Sequence, residues 1–245
     1  MNKLIIICFL LLGSFSGLVA QNSSSAESFN SISRDRVILE FNYTGWDQLP
    51  NDSLSTRWYN RGLNAYMFWD MPLGADKANS RFAFAPGLGI SNHNVYTNGR
   101  YDRDRDEESE TFNQTIFRRI PDSLDYRNNK LSTTHLELPI EFRFRSKPNK
   151  LNNSWKVAVG MRVGYLVVAN AKYRGEEVNR FGEVVSVKSK NLIVPNMERF
   201  RFGPSFRVGY GNVSLVGYMA LSSLFERNGG PEVIPFSIGI SFNSF

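Results

Sequence analysis

The stretch that most limits what this chain can fold into is Leu136-Glu137-Leu138-Pro139-Ile140-Glu141-Phe142-Arg143-Phe144-Arg145. Its even positions are all apolar, and its odd positions carry Glu, Pro, Glu, Arg and Arg. Wound into a helix, those charges would scatter around the circumference. In an extended strand, successive side chains point to opposite faces, so one face is greasy and the other charged. The same period of two runs through Val37–Thr44, Phe82–Ser91, Trp155–Val167 and Phe200–Tyr210. It is weaker in Leu63–Leu73, and Val213–Phe225 and Ile234–Phe242 complete a set of eight strands. Each is near the roughly 9–11 residues that a tilted membrane strand needs.

The connections alternate in length. Gly211-Asn212 is a tight hairpin turn, and Pro72–Ser80 and Ser146–Ser154 are short polar links. Between them fall the longer segments Trp46–Asn60, Asn92–Thr133, Ala169–Glu198 and Glu226–Val233. If the strands run up and down, every short link lies at one end. Outer-membrane barrels are built that way, with short periplasmic turns and longer outer loops. Trp46, Trp155 and Tyr210 fall near predicted strand ends, where an amphipathic ring suits a membrane–water interface.

A soluble β-sandwich alternates too, with its apolar face turned inward. The polar face separates the two readings. It holds Gly87, Gly89, Gly160, Gly164, Gly203, Gly209 and Gly239 between its charges. A narrow barrel interior needs such small residues, with a few large side chains filling the remaining space. Pro86, Pro139, Pro204 and Pro235 interrupt the ladder donors, so local bulges are expected there.

The amino terminus reads as a secretory leader. Lys3 precedes the apolar run Leu4–Leu12, and small residues lead to Ala20 and Gln21, between which cleavage is expected. The apolar run is too short to span a bilayer, which takes roughly 20 residues. Cys8 lies inside it, so no thiol or disulfide chemistry is expected of the mature chain. The expected organisation is a leader over 1–20, a disordered Ser/Asn-rich segment over 21–35 and one barrel domain over 36–245. The formal net charge of +6 is not gathered into a basic tail, which argues against a nucleic-acid partner.

Six charged residues share the predicted interior face: Glu137, Glu141, Arg143, Arg162, Arg201 and Arg207. They read as a structural network, because an isolated buried charge costs several kcal/mol or so and opposite charges should pair there. A lumen that binds or conducts is the competing reading. The only histidines are His93 and His135; His135 lies beside Thr134 and two residues from Glu137 on the same side of the strand, a pairing that a lipid-modifying enzyme would use. Two separated histidines make a poor zinc site. Asp102–Glu108 mixes acids with arginines and reads as a solvated loop rather than a calcium site. No catalytic, cofactor or metal residue is therefore assigned.

Leu138-Pro139-Ile140-Glu141-Phe142, Gly203-Pro204-Ser205-Phe206-Arg207-Val208-Gly209-Tyr210 and Gly229-Gly230-Pro231-Glu232-Val233-Ile234-Pro235-Phe236-Ser237-Ile238-Gly239-Ile240 resemble the PorT-like outer-membrane β-barrel family of the Bacteroidota. The resemblance implies an accessory role in type 9 secretion, with outer-membrane lipids and other envelope proteins as partners. Barrels of this kind often end in Phe, but Phe245 is one residue out of phase with Ile238, Ile240 and Phe242. The expected protein is an all-β, eight-stranded, antiparallel up-and-down transmembrane barrel in the outer membrane, non-enzymatic and without cofactor.

Overall fold

The computed structural model describes residues 36–50, 54–77, 79–150 and 153–242. Ala20, Gln21, the segment over 21–35 and Phe245 lie outside the described residues. Twelve strands are present among the described residues: β1 (Arg36–Asp47), β2 (Arg61–Phe68), β3 (Met71–Pro72), β4 (Phe82–Tyr96), β5 (Gly99–Arg103), β6 (Thr115–Arg119), β7 (Tyr126–Arg145), β8 (Trp155–Val178), β9 (Val184–Leu192), β10 (Phe200–Tyr210), β11 (Val213–Met219) and β12 (Ile234–Phe242).

Eight of them close a ring. Antiparallel pairings run β1–β2–β4–β7–β8–β10–β11–β12 and return from β12 to β1 through Leu39↔Phe242 to Asp47↔Ile234. A closed ring leaves its members no unpaired edge. The described chain ends meet at the end that carries the short turns after β3, β7 and β10, the turn end. The opposite end is the extended end.

The ring is inside out relative to a soluble domain. Phe142 is 57% exposed, whereas its neighbours Glu141 and Arg143 are 2% and 1% exposed. On β1, Val37, Leu39, Phe41 and Tyr43 face outward while Ile38, Glu40, Asn42 and Thr44 are buried. Alternation thus directs charge inward and hydrocarbon outward on strand after strand.

Two expectations need correction. Much of Asn92–Thr133 and Ala169–Glu198 is sheet rather than loop. β4 continues to Tyr96, β7 begins at Tyr126, β8 runs for 24 residues, β5 and β6 form a hairpin, and β9 pairs with the far half of β8. Outward residues there, such as Thr134, Ser132 and Lys130, are polar, so greasy alternation stops although main-chain pairing continues. Conversely β11 ends at Met219, short of Phe225, which turns inward to pack.

The prolines are accommodated without bulges. Register is unchanged across Pro86, Pro139 and Pro204. In an antiparallel pair a residue's N–H and C=O point to the same neighbour. The Pro86 carbonyl accepts from the Trp69 N–H, so its missing donor faces the break between β2 and β3. The Pro235 carbonyl accepts from Ala220, just past the end of β11. Pairing of β10 with β11 starts at Ser205, one residue after Pro204. Opposite Pro139, rungs are missing between Pro86↔Ile140 and Gly89↔Glu137. Each proline sits where the ladder has no rung to lose. The irregularities fall elsewhere, at Thr134/His135 against Val168 and Leu166, at Tyr126/Asn128 and at Ala171/Tyr173. The first switches the inward side of β8 from even to odd residues.

Candidate functional site

The interior of the ring is built from the charged faces of β1, β7, β8 and β10. The Glu40 carboxylate of β1 accepts from both Arg162 guanidinium nitrogens at 3.0 Å and from Arg207 at 2.9 Å. Asn64 of β2 donates a further bond at 2.9 Å. Glu141 accepts from Arg207 and from Arg143, both at 2.9 Å. Counting round the ring, β8 lies diametrically opposite β1, so the Glu40–Arg162 pair crosses the full width of the interior. Such bidentate contacts fix orientation as well as charge.

The network continues in both directions. Toward the extended end, Glu137 accepts from Arg201, from the Tyr66 hydroxyl and from the Ser91 hydroxyl, the last at 2.9 Å. Arg162 donates to the Tyr66 oxygen at 2.9 Å, so Tyr66 joins the Glu40 and Glu137 clusters. Toward the turn end, Asp70 pairs with Arg143 at 3.3 Å and with Arg145. All six interior charges named from the sequence are buried, and the structure adds the charges of Glu40, Asp70, Arg145 and Lys156 and the hydroxyl of Tyr66. Glu40 and Arg145 carry the inward parity of their strands and were legible. Asp70 was not, because it sits in the break between β2 and β3, outside any alternation.

Gly89 is what lets Tyr66 lie in this position. A Cβ at residue 89 would stand 2.2 Å from the Tyr66 ring and 2.4 Å from the Ala65 carbonyl oxygen. Gly89→Ala is expected to destabilise by about 1–3 kcal/mol through overpacking, measured by urea unfolding in detergent micelles. Phe at position 66 should tolerate the alanine no better, since the clash is with the ring. An unchanged midpoint would disprove the close approach.

Above the charges lies a chamber of about 30 Å³ lined by His93, His135, Arg201, Thr44 and Tyr218. That is room for a few waters at most. An apolar plug closes it at the extended end: Trp46, Val95, Leu131, Met197, Leu224, Phe225 and Val233, with Tyr101 and Phe117 packed against them. The His93 and His135 rings meet edge-on with centroids 6.4 Å apart. Glu137 bonds to Arg201, Tyr66 and Ser91, and His135 Nδ1 has no hydrogen-bond partner, so the two do not form an acid–base pair.

Trp46 corrects an expectation. It is 7% exposed and stacks edge-on against Tyr101 and Phe117. Its parity is that of Glu40 and Thr44, so it points inward and forms part of the plug rather than an interface. Trp155 and Tyr210 are exposed and touch each other at 5.5 Å between centroids on the turn-end rim. A second set of outward aromatic pairs, exposed Tyr165–Phe200 at 5.3 Å and Tyr43 with half-buried Phe236 at 6.3 Å, marks the other side of the greasy band.

At the extended end, the mixed-charge run folds onto itself. Asp104 accepts from the Thr111 hydroxyl at 2.6 Å and from the Asp106 N–H at 3.1 Å. The Thr111 and Ser109 hydroxyls, and then the Asp106 N–H, hold its carboxyl below the usual range. No grouping of metal-ligating side chains occurs among the described residues.

The family model described as "Outer membrane protein beta-barrel domain" matches residues 11–226, most of the chain. No curated protein and no solved structure matches it significantly.

Proposed function

We propose, from the premise that the chain belongs to the outer membrane protein beta-barrel domain family and resides in the outer membrane, that it is a sealed eight-stranded barrel serving as a non-enzymatic accessory or scaffold in an envelope or protein-secretion complex. The observation that carries this reading is the Glu40–Arg162 contact across the ring. Together with Arg207, Glu141 and the apolar plug beyond, it supports a sealed interior. Eight strands enclose just enough space for packed side chains.

The outer wall fits a bilayer. From Trp155 to Tyr165 on β8, both exposed aromatics, the strand covers roughly 33 Å. At a tilt of about 40° that becomes about 25 Å, the height of the apolar band in such barrels. The short turns then lie in the periplasm, and the extended end, with β5, β6 and β9, projects outward as the surface that partners would meet. The PorT-like segments around Pro139, Pro204 and Pro235 favour a secretion role among the possible tasks.

A packed interior makes a clear electrical prediction. In planar bilayers the purified protein should insert and give no steady conductance. Steady open-channel current at low voltage would sink the scaffold reading and favour transport.

A further inference from the structure

Beyond the greasy band, the outward face of β7, β8 and β9 changes character. Toward the extended end, Leu136 is the last strongly exposed apolar residue of β7, and on β8 none follows Val168 until Val178 at the strand's tip. An uncharged polar belt follows, where Asn92 donates to Thr134 at 2.8 Å and Asn94 to Asn92 at 2.7 Å. Then come cations. Lys130 stands directly opposite Lys172, and Arg174 directly opposite Lys188, with Lys190 exposed two residues on, within the irregularity between Ser189 and Leu192. Their inward neighbours Leu131, Ala171 and Tyr173 are buried, which sets the direction of the cations outward.

Like charges directly opposite in a sheet repel. No carboxylate is within ion-pair distance of these five cations among the described residues. The nearest along the strands are otherwise engaged. Glu176 accepts from the Asp125 N–H at 3.0 Å, and Glu177 pairs with Arg100 at 3.3 Å. Lys130 is held toward β4 by Asn94 at 2.8 Å and lies over the Tyr96 ring. The fold therefore gathers two like-charge pairs without a direct ion-pair partner on one surface, among the described residues. That surface is continuous with the membrane-facing wall. Lys172 is four residues past Val168, about 10 Å along the barrel axis at the usual tilt. A lysine side chain reaches back roughly half that distance, into a headgroup layer some 5–8 Å deep.

We propose that this face binds the phosphorylated headgroup of an outer-leaflet lipid, whose chains lie against Leu136, Val167 and Val168. The proposal rests on the barrel orientation given above. Basic residues just outside the hydrocarbon recruit anionic lipid in this way.

The test uses the full chain in maltoside micelles, titrated with diphosphorylated lipid A and followed by native mass spectrometry. Lipid A should bind at least tenfold more tightly than phosphatidylcholine. Lys172→Gln/Lys188→Gln/Lys190→Gln should weaken it at least tenfold, while the same three positions as Arg, and Lys147→Gln/Lys150→Gln at the turn end, should not. In lipid-free micelles the Gln variant should melt no lower than the wild type, because it relieves repulsion. Equal binding by the Gln variant, equal affinity for phosphatidylcholine, or binding of inorganic phosphate as tight as that of lipid A would overturn the proposal. So would failure of the Arg variant to retain binding. Surface labelling of Lys190→Cys on intact cells with an impermeant maleimide separates the two readings. Absent labelling with lipid binding intact refutes the orientation, and labelling with no lipid binding refutes the site.

Discussion

Replacing Glu40 with Ala is expected to cost about 3–5 kcal/mol of stability, the largest loss of any single truncation in the interior. Glu40 is the one carboxylate that bonds to both Arg162 and Arg207. Removing it leaves two guanidinium groups buried in a space that water can scarcely enter; among the described residues, Arg162 then keeps its hydrogen bond to Tyr66 and Arg207 its bond to Glu141. Breaking one side of such a cluster costs far more than the cluster contributes over a well-packed apolar substitute, because the orphaned charge stays desolvated. Glu40→Gln keeps one acceptor oxygen but sets an NH2 against the guanidinium donors, so it should recover only part of the loss. The readout is urea unfolding in micelles, with heat-dependent gel mobility as a second measure of the folded fraction. A double-mutant cycle of Glu40→Ala with Arg207→Ala should show coupling of roughly 0.5–3 kcal/mol. A loss from Glu40→Ala below about 1 kcal/mol, in the range of an exposed pair, would mean the interior is wet and the cluster screened.

Leu138→Arg should be nearly as damaging, for the opposite reason. Leu138 is 56% exposed and sits beside Glu137, which is 1% exposed. In a water-soluble domain an exposed Leu→Arg change away from any special feature usually lies within about 0.5 kcal/mol of neutral. Against hydrocarbon near the midplane, the same change costs about 2–4 kcal/mol. Reversible folding into phosphatidylcholine vesicles, titrated with guanidinium, measures it. Adjacent residues then respond to opposite chemistry: position 137 requires its charge and position 138 cannot accept one. A neutral Leu138→Arg would remove hydrocarbon from the outer wall and with it the barrel assignment.

Much of this architecture is visible before folding is considered. Period-two alternation set the inward parity of Glu137, Glu141, Arg143, Arg162, Arg201 and Arg207, because side-chain direction in a strand depends only on position within it. The same rule placed Trp46 inward, and reading it as interfacial came from its nearness to a strand end rather than from its parity. Alternation faded where β4, β7 and β8 leave the greasy band. There the outward residues meet water and need not be apolar, although the ladder continues. The prolines misled in a related way, since whether a missing N–H matters depends on what the neighbouring strand offers at that rung.

Alternation along the chain therefore settles which side chains share a face and which face is greasy. Those are local properties, carried by each residue and its neighbours two positions away. Only the tertiary structure decided which charges meet. Glu40 finds Arg162 because eight strands close into a ring with β1 facing β8, and Lys130, Lys172, Arg174 and Lys188 are brought side by side by strand register. Both depend on pairings between residues far apart along the chain, and no local pattern encodes which of several similar strands will be neighbours.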